Sequence, residues 1–186
     1  MRGPLAWIFW HSRARTVAET DYRAALLDFH NLLHPGDIEG FFGSRILRYD
    51  SLPWLPAAVA EVYEDWYFLR DSAALDVLEE AAIGARRKTT HDAVARLAST
   101  ATAGLYRLRR GNASSPISRC CWLTKPAGES YESFFARFDR IQDGTFALFS
   151  RQMVLGPTPE FVLTASTEVS TNLSPDIELV PEMIGR

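Results

Sequence analysis

Tyr22-Arg-Ala-Ala-Leu-Leu-Asp-Phe-His30-Asn-Leu-Leu-His34-Pro35-Gly36 is the stretch on which the fold turns. Tyr22, Leu26, Phe29 and Leu33 recur at spacings of four, three and four, which puts them on one helical stripe; Pro35-Gly36 then stops the helix at His34. Thr20 is its expected cap. Upstream, Leu5 to His11 reads as a short aromatic-rich strand. Downstream, Phe41 to Tyr49 reads as a second strand, Leu52-Pro53-Trp54-Leu55-Pro56 as a loop whose prolines deny ladder donors, and Val59 to Leu69 as a third strand. Asp71 is placed to cap a helix through Leu75, Leu78 and Ala82. Gly84 interrupts it, a shorter helix from about His91 to Ser99 follows Thr89 or Thr90, and Gly104 to Arg109 is a fourth strand. The order is β-α-β-β-α-β, in which helices cover one face of a four-stranded antiparallel sheet and the other face must be buried elsewhere.

After Gly111-Asn112-Ala113-Ser114-Ser115-Pro116, a stretch of linker composition, the pattern begins again. Ile117 to Thr124 is a strand, and Tyr131, Phe134, Phe135 and Phe138 make a second apolar stripe; placing Tyr131 on Tyr22 places Phe138 on Phe29. Glu160 to Ser166 and Ile177 to Ile184 are the last strands, and the polar stretch from Thr167 to Pro175 is too short for a full helix. The expectation is an α+β chain of tandem ferredoxin-like repeats: a complete half over 1–110, a linker over 111–116 and a truncated half over 117–186, forming one compact unit. The position matching His30 in the second copy is Asp139, so a site is expected in the first half alone.

Composition narrows the function classes. The 186 residues are 47% hydrophobic and 12% aromatic, ample for a core. Net charge is −3, and the basic clusters Arg86-Arg87-Lys88 and Arg107 with Arg109-Arg110 read as solvated surface, so no nucleic-acid partner is expected. The two cysteines, Cys120 and Cys121, are neighbours that face opposite ways in a strand, which excludes a disulfide framework. The apolar run from Leu5 to Trp10 is too short to span a membrane, and the expected compartment is the cytoplasm. Arginine far outnumbers lysine, an association with GC-rich bacterial genomes. No G-x-G-x-x-G or G-x-S-x-G occurs, and Gly84-Ala-Arg-Arg-Lys88-Thr89 lacks the second glycine of a phosphate loop.

The first helix and its exit, continuing into Gly40-Phe-Phe-Gly-Ser-Arg-Ile-Leu-Arg-Tyr49, together with Tyr63-Glu-Asp-Trp66-Tyr-Phe-Leu-Arg-Asp-Ser-Ala-Ala-Leu75, resemble the EthD-like branch of the dimeric α+β barrel superfamily. The resemblance covers residues 5 to 110 and reaches the rest through the internal repeat. It implies two four-stranded sheets facing each other as an α+β barrel with a ligand cleft inside, and a homodimer. It also implies a range of activities that includes monooxygenases, decarboxylases, cyclases and haem-handling proteins.

Histidines are the candidate chemistry. His30 matches the family's histidine and has a pKa suited to general acid or base work; His11 ends the first strand and shares strand parity with Trp7 and Phe9. His30 and His34 are four apart, the spacing for a shared metal ion, but no further ligands accompany them, and no metal or cofactor is expected. Two histidines in a last helical turn also suit the helix dipole. Trp10, Trp66 and Tyr63 are candidates to line a cleft for a planar ligand, or to fill a core, and Arg45 to hold a substrate carboxylate. Glu61, Glu64 and Asp65 within one strand read by default as cross-strand ion pairs on a half-exposed sheet. Two functions compete: a cofactor-independent enzyme acting on a small hydrophobic or aromatic substrate, with His30 or His11 moving a proton, and a non-catalytic ligand-binding or oligomerisation module. Haem ligation is a third option. A solvent-accessible cavity beside the histidines separates the first two.

Overall fold

In the computed structural model, which describes residues 3–56, 61–141, 144–153, 155–167 and 174–185, the longest strand buried along its whole length decides the layering. This strand, β3 (Val62–Leu69), carries Val-Tyr-Glu-Asp-Trp-Tyr-Phe-Leu, and all eight side chains are buried. Such a run without polar alternation needs cover on both faces. Around it lie β1 (Leu5–Arg13), α1 (Glu19–Asn31), β2 (Phe41–Tyr49), α2 (Ala73–Ile83), α3 (Lys88–Leu97), β4 (Ala98–Gly111), β5 (Arg119–Leu123), α4 (Tyr131–Ala136), β6 (Phe146–Arg151), β7 (Phe161–Ala165), β8 (Ile177–Leu179) and β9 (Glu182–Gly185). Helix α1 begins before Thr20, after Ala18, with no side-chain cap. Asp71 does act at the start of α2, its Oδ1 accepting from the Ala74 backbone N–H at 3.1 Å.

A single antiparallel sheet runs β8-β5-β7-β6-β4-β1-β3-β2-β9. The block β4-β1-β3-β2 has the order of a βαββαβ unit, and β8-β5-β7-β6 repeats that order, joined to the first through β4 and β6. No described helix lies between β7 and β8; residues 168–173 of that connection lie outside the described residues. The chain folds as a mixed α+β structure with a strongly curled sheet.

The curl follows from the C-terminus. The strand expected over Ile177 to Ile184 is two strands, because Pro181 has no N–H for a ladder. β8 pairs with β5 at one edge of the sheet and β9 with β2 at the other. Only Val180 and Pro181 separate them, a span of at most about 11 Å at 3.8 Å per residue. Both edges of the sheet therefore meet within one chain.

Curling gives the sheet an inside and an outside. The inside is filled: Trp10, Trp66, Tyr106, Trp122, Phe149 and Val162 from both blocks form one buried cluster, with Trp10 and Trp122 rings 5.8 Å apart and Trp66 and Phe149 5.4 Å apart. Gly104 leaves room for this packing, since a Cβ there would lie 2.6 Å from the Tyr106 ring. Outside, α1 and the turn after it cover the first block through Tyr22, Leu26, Phe29 and Leu33, α2 through Ala74 and Leu78 and α3 through Val94, while α4 and the turn after it cover the second through Phe134 and Phe138. Tyr131, matched in sequence to Tyr22, is half exposed at the start of α4, its hydroxyl donating to Glu160 at 2.8 Å. Among the described residues no helix is long and apolar enough to cross a membrane.

Candidate functional site

Register brings the site together. β1 and β3 pair antiparallel with Trp7 opposite Tyr67, Phe9 opposite Asp65 and His11 opposite Tyr63, so these six side chains share the face that the helices cover. His11 accordingly keeps company with Trp7 and Phe9. Helix α1 adds Tyr22 and His30 from its buried side, and β2 adds Ser44.

Asp65 is the centre. Its Oδ2 lies 3.0 Å from His11 Nε2, 3.1 Å from His30 Nε2 and 3.2 Å from the Tyr67 hydroxyl. Burial alone would push this carboxyl up, but the two imidazoles, through charge and hydrogen bonds, outweigh it and hold the group below the ordinary carboxylate range. A carboxylate only accepts, so each Nε2 carries a hydrogen toward Asp65. In the neutral tautomer each Nδ1 is an acceptor, for the Tyr22 hydroxyl at 2.6 Å on His11 and for that of Ser44 at 2.8 Å on His30, and protonation of a ring adds the charge that holds Asp65 low. Two relays, Tyr22–His11–Asp65 and Ser44–His30–Asp65, share one carboxylate. Burial, and then the Asp65 charge, pushes the Tyr22 phenol up, so it stays protonated at rest. Tyr67 is pushed up for the same reasons.

One relay opens onto space. Between the sheet and helices α1, α2 and α3 is a cavity of about 580 Å³, whose wall includes Trp7, Phe9, His11, Tyr22, Asp65 and Tyr67. Most of the remaining lining is apolar, from Leu26, Phe29, Leu33, Leu75, Leu78 and Val94, while the exposed Glu79, Ile83 and Ala101 mark its rim. His91 of α3, half buried, reaches the same cavity and packs against Phe29 at 5.6 Å. His30 is not part of the wall; it supports Asp65 from behind.

The other expected site residues go elsewhere. Trp10 and Trp66 lie on the opposite face of their strands, inside the filled barrel, where their indole N–H groups donate to Glu64 at 2.6 Å each. Tyr63 is buried on the helix side, stacked on His11 at 5.7 Å, but is not part of the cavity wall. Arg45 also faces away: its guanidinium donates to the carbonyls of Ser114 and Ser115 at 2.8 and 2.5 Å and lies over Phe68. His34 is exposed in the turn after α1. Both ring nitrogens of His11 and His30 are engaged, so neither offers an axial nitrogen to a haem without breaking the relay. Among the described residues no group of three or more His, Cys, Asp or Glu side chains is placed to hold a metal ion.

Sequence reasoning took Asp65 for a surface ion pair and Tyr22 for plain core. Of these three acids, among the described residues only Glu61, just before β3, pairs with a permanent cation, Arg13 at 2.5 Å. A signal for the others existed: six of the eight residues of Val62–Leu69 are aromatic or aliphatic and surround the acids on both parities, so a carboxylate among them is buried whichever way it faces.

No protein-family model and no curated protein matches this chain. Solved structures share its fold, two of them as follows. A "putative monooxygenase" of Fusobacterium nucleatum is 11% identical, with a TM-score of 0.57 over 88% of this chain and 75% of that one. A "putative monooxygenase" of Lactobacillus acidophilus is 9% identical, with a TM-score of 0.54 over 97% of this chain and 93% of that one. At these identities the likeness establishes the α+β barrel fold.

Proposed function

We propose that this α+β barrel chain is a cofactor-independent enzyme acting on a small hydrophobic or aromatic substrate held between the helices and the sheet of its first half. The observation that carries the reading is the Tyr22–His11–Asp65 relay ending in an apolar cavity. An acidic O–H or C–H of the substrate passes its proton to the Tyr22 oxygen as the Tyr22 proton moves to His11 Nδ1. The resulting imidazolium is stabilised by Asp65, and the surrounding apolar wall strengthens that pairing by excluding water. His30 is a positioning residue: with Ser44 behind it, it fixes the second side of the Asp65 carboxylate. All these groups come from one chain, so a second copy is not needed to complete the site.

The electron-rich anion left by proton removal is the starting point of an oxygenation with molecular oxygen as co-reactant or of a cyclisation, and in a decarboxylation the same kind of anion is formed by loss of carbon dioxide and takes a proton back from the relay. The names of the two structural neighbours favour the first, and the histidine-bearing helix supports an EthD-like affinity. The filling of the barrel interior by indole and phenol rings supports a ligand on the helix side instead.

Incubation with a panel of phenolic and enolisable compounds, with products followed by mass spectrometry, tests this. His11→Gln is expected to lower turnover by about 10²- to 10⁴-fold with the fold retained by circular dichroism. Turnover unchanged in both His11→Gln and Tyr22→Phe would remove the relay from the mechanism. Ligands that bind and leave unaltered throughout would favour the non-catalytic binding module.

A further inference from the structure

The relay satisfies one oxygen of Asp65 and leaves the other unmet. Oδ2 receives His11, His30 and Tyr67, whereas Oδ1 is buried and has no hydrogen-bond partner among the described residues. A buried carboxylate oxygen without a donor is costly, and a water or ligand donor is the ordinary remedy. Asp65 is part of the cavity wall, so the residue with this vacancy borders the cavity, and a ligand donor reaches Oδ1 as the side chain turns toward it.

Charge points the same way. Asp65 and Glu79 are the two carboxylates of the wall, at its inner end and its rim, and among the described residues no lysine or arginine joins them. An anionic group pushed toward Asp65 would meet like charge in apolar surroundings with no permanent cation to offset it. The wall beside Asp65 is aromatic: Trp7 stacks on Phe9 at 5.4 Å and lies 5.1 Å from Tyr67, a surface suited to a flat ring.

Resting on the reading of this cavity as a ligand site, we propose that its ligand is an uncharged planar molecule whose buried end carries a phenolic or enolic hydroxyl donated to Asp65 Oδ1, and that carboxylic acids are excluded. This assignment removes decarboxylation from the three reactions above, since that substrate would present a carboxylate. It also replaces Arg45 by Asp65 as the group that orients the ligand, and inverts the expected charge of the head group.

Equilibrium dialysis of the intact protein at pH 7 against 2-naphthol, naphthalene and 2-naphthoate tests it. The ring is the same in all three and only the head group changes. 2-Naphthol is expected to bind about tenfold or more tighter than 2-naphthoate, as a hydrogen bond to a charged acceptor requires, with naphthalene between them. Asp65→Asn should erase that preference. Because Asp65→Asn can fail to fold, Glu79→Gln at the rim provides a second arm, and there the preference should persist. Naphthoate binding as tightly as naphthol, or a preference lost in Glu79→Gln, would overturn the head-group assignment while leaving the acid–base reading standing. Failure of all three probes to bind would overturn the cavity as a ligand site, and both readings with it.

Discussion

Glu64 and Asp65 are neighbours on one strand, both fully buried, and they have opposite fates. Glu64 points into the barrel and accepts from Trp10, Trp66 and Tyr49, all neutral donors. Burial outweighs those three bonds and pushes its carboxyl up to about 7. Asp65 points under the helices, where burial is offset by two imidazoles and the carboxyl is held low. Depth is common to both, so depth alone does not set ionisation; the charge that the partners can carry does. The two faces differ in the same sense in their packing. The barrel face is closed by interlocking rings, and the helix face keeps the open space in which a charged relay is useful.

The filled and open faces can be set against each other most strongly by truncation. Trp122→Ala, which removes a ring packed against Trp10, Trp54 and Tyr106, is expected to cost about 3–5 kcal/mol. Leu78→Ala, on the cavity wall, should cost about 2 kcal/mol, because part of its surroundings is already empty. Denaturant titration measures both, and equal losses would mean that the cavity closes in solution.

The two acids should also bend the stability–pH curve in opposite directions. Glu64 in the folded protein keeps a proton that the unfolded chain releases above about 4.5, so its contribution falls as pH rises from about 4.5 to about 7, by at most about 3 kcal/mol. Asp65 in the folded protein refuses a proton that the unfolded chain takes up below about 4, so its contribution is present above that pH and lost as pH falls. Glu64→Gln should flatten the descent toward neutrality and leave the acid limb. Asp65→Asn should do the reverse, and identical curves for the two variants would undo the contrast.

The smallest expected effect lies in the second relay. Ser44→Ala deletes one donor to His30 and should cost about 1 kcal/mol, with Asp65 still held by His11 and Tyr67. A loss several times larger would mean that the two relays depend on each other.

Much of this architecture is legible in the chain. The stripe of Tyr22, Leu26, Phe29 and Leu33 is buried and the β-α-β-β-α-β order produces the sheet order β4-β1-β3-β2, although the helix ends at Asn31 rather than at His34, and Pro35–Asp37 forms a separate 3-10 turn. The parity of Trp7, Phe9 and His11 is legible too, since alternation along a strand is a property of the backbone. The break at Pro181 was present in the sequence but gained meaning only when β8 and β9 were seen on opposite edges of the sheet.

What the chain alone determined is therefore local: which residues form helices and strands, and which side chains share a face, because periods of 3.6 and 2 follow from backbone geometry. Which face of the sheet would be plugged and which would hold a cavity depends on how the second block curls against the first. That brings Trp122 and Phe149 to Trp10 and Trp66 from more than eighty residues away in sequence. The role of Asp65 belongs to the same level. Its low pKa and its unmet oxygen exist only once strands β1 and β3 are in register and α1 has been laid across them, because the partners that decide its charge come from three separate elements.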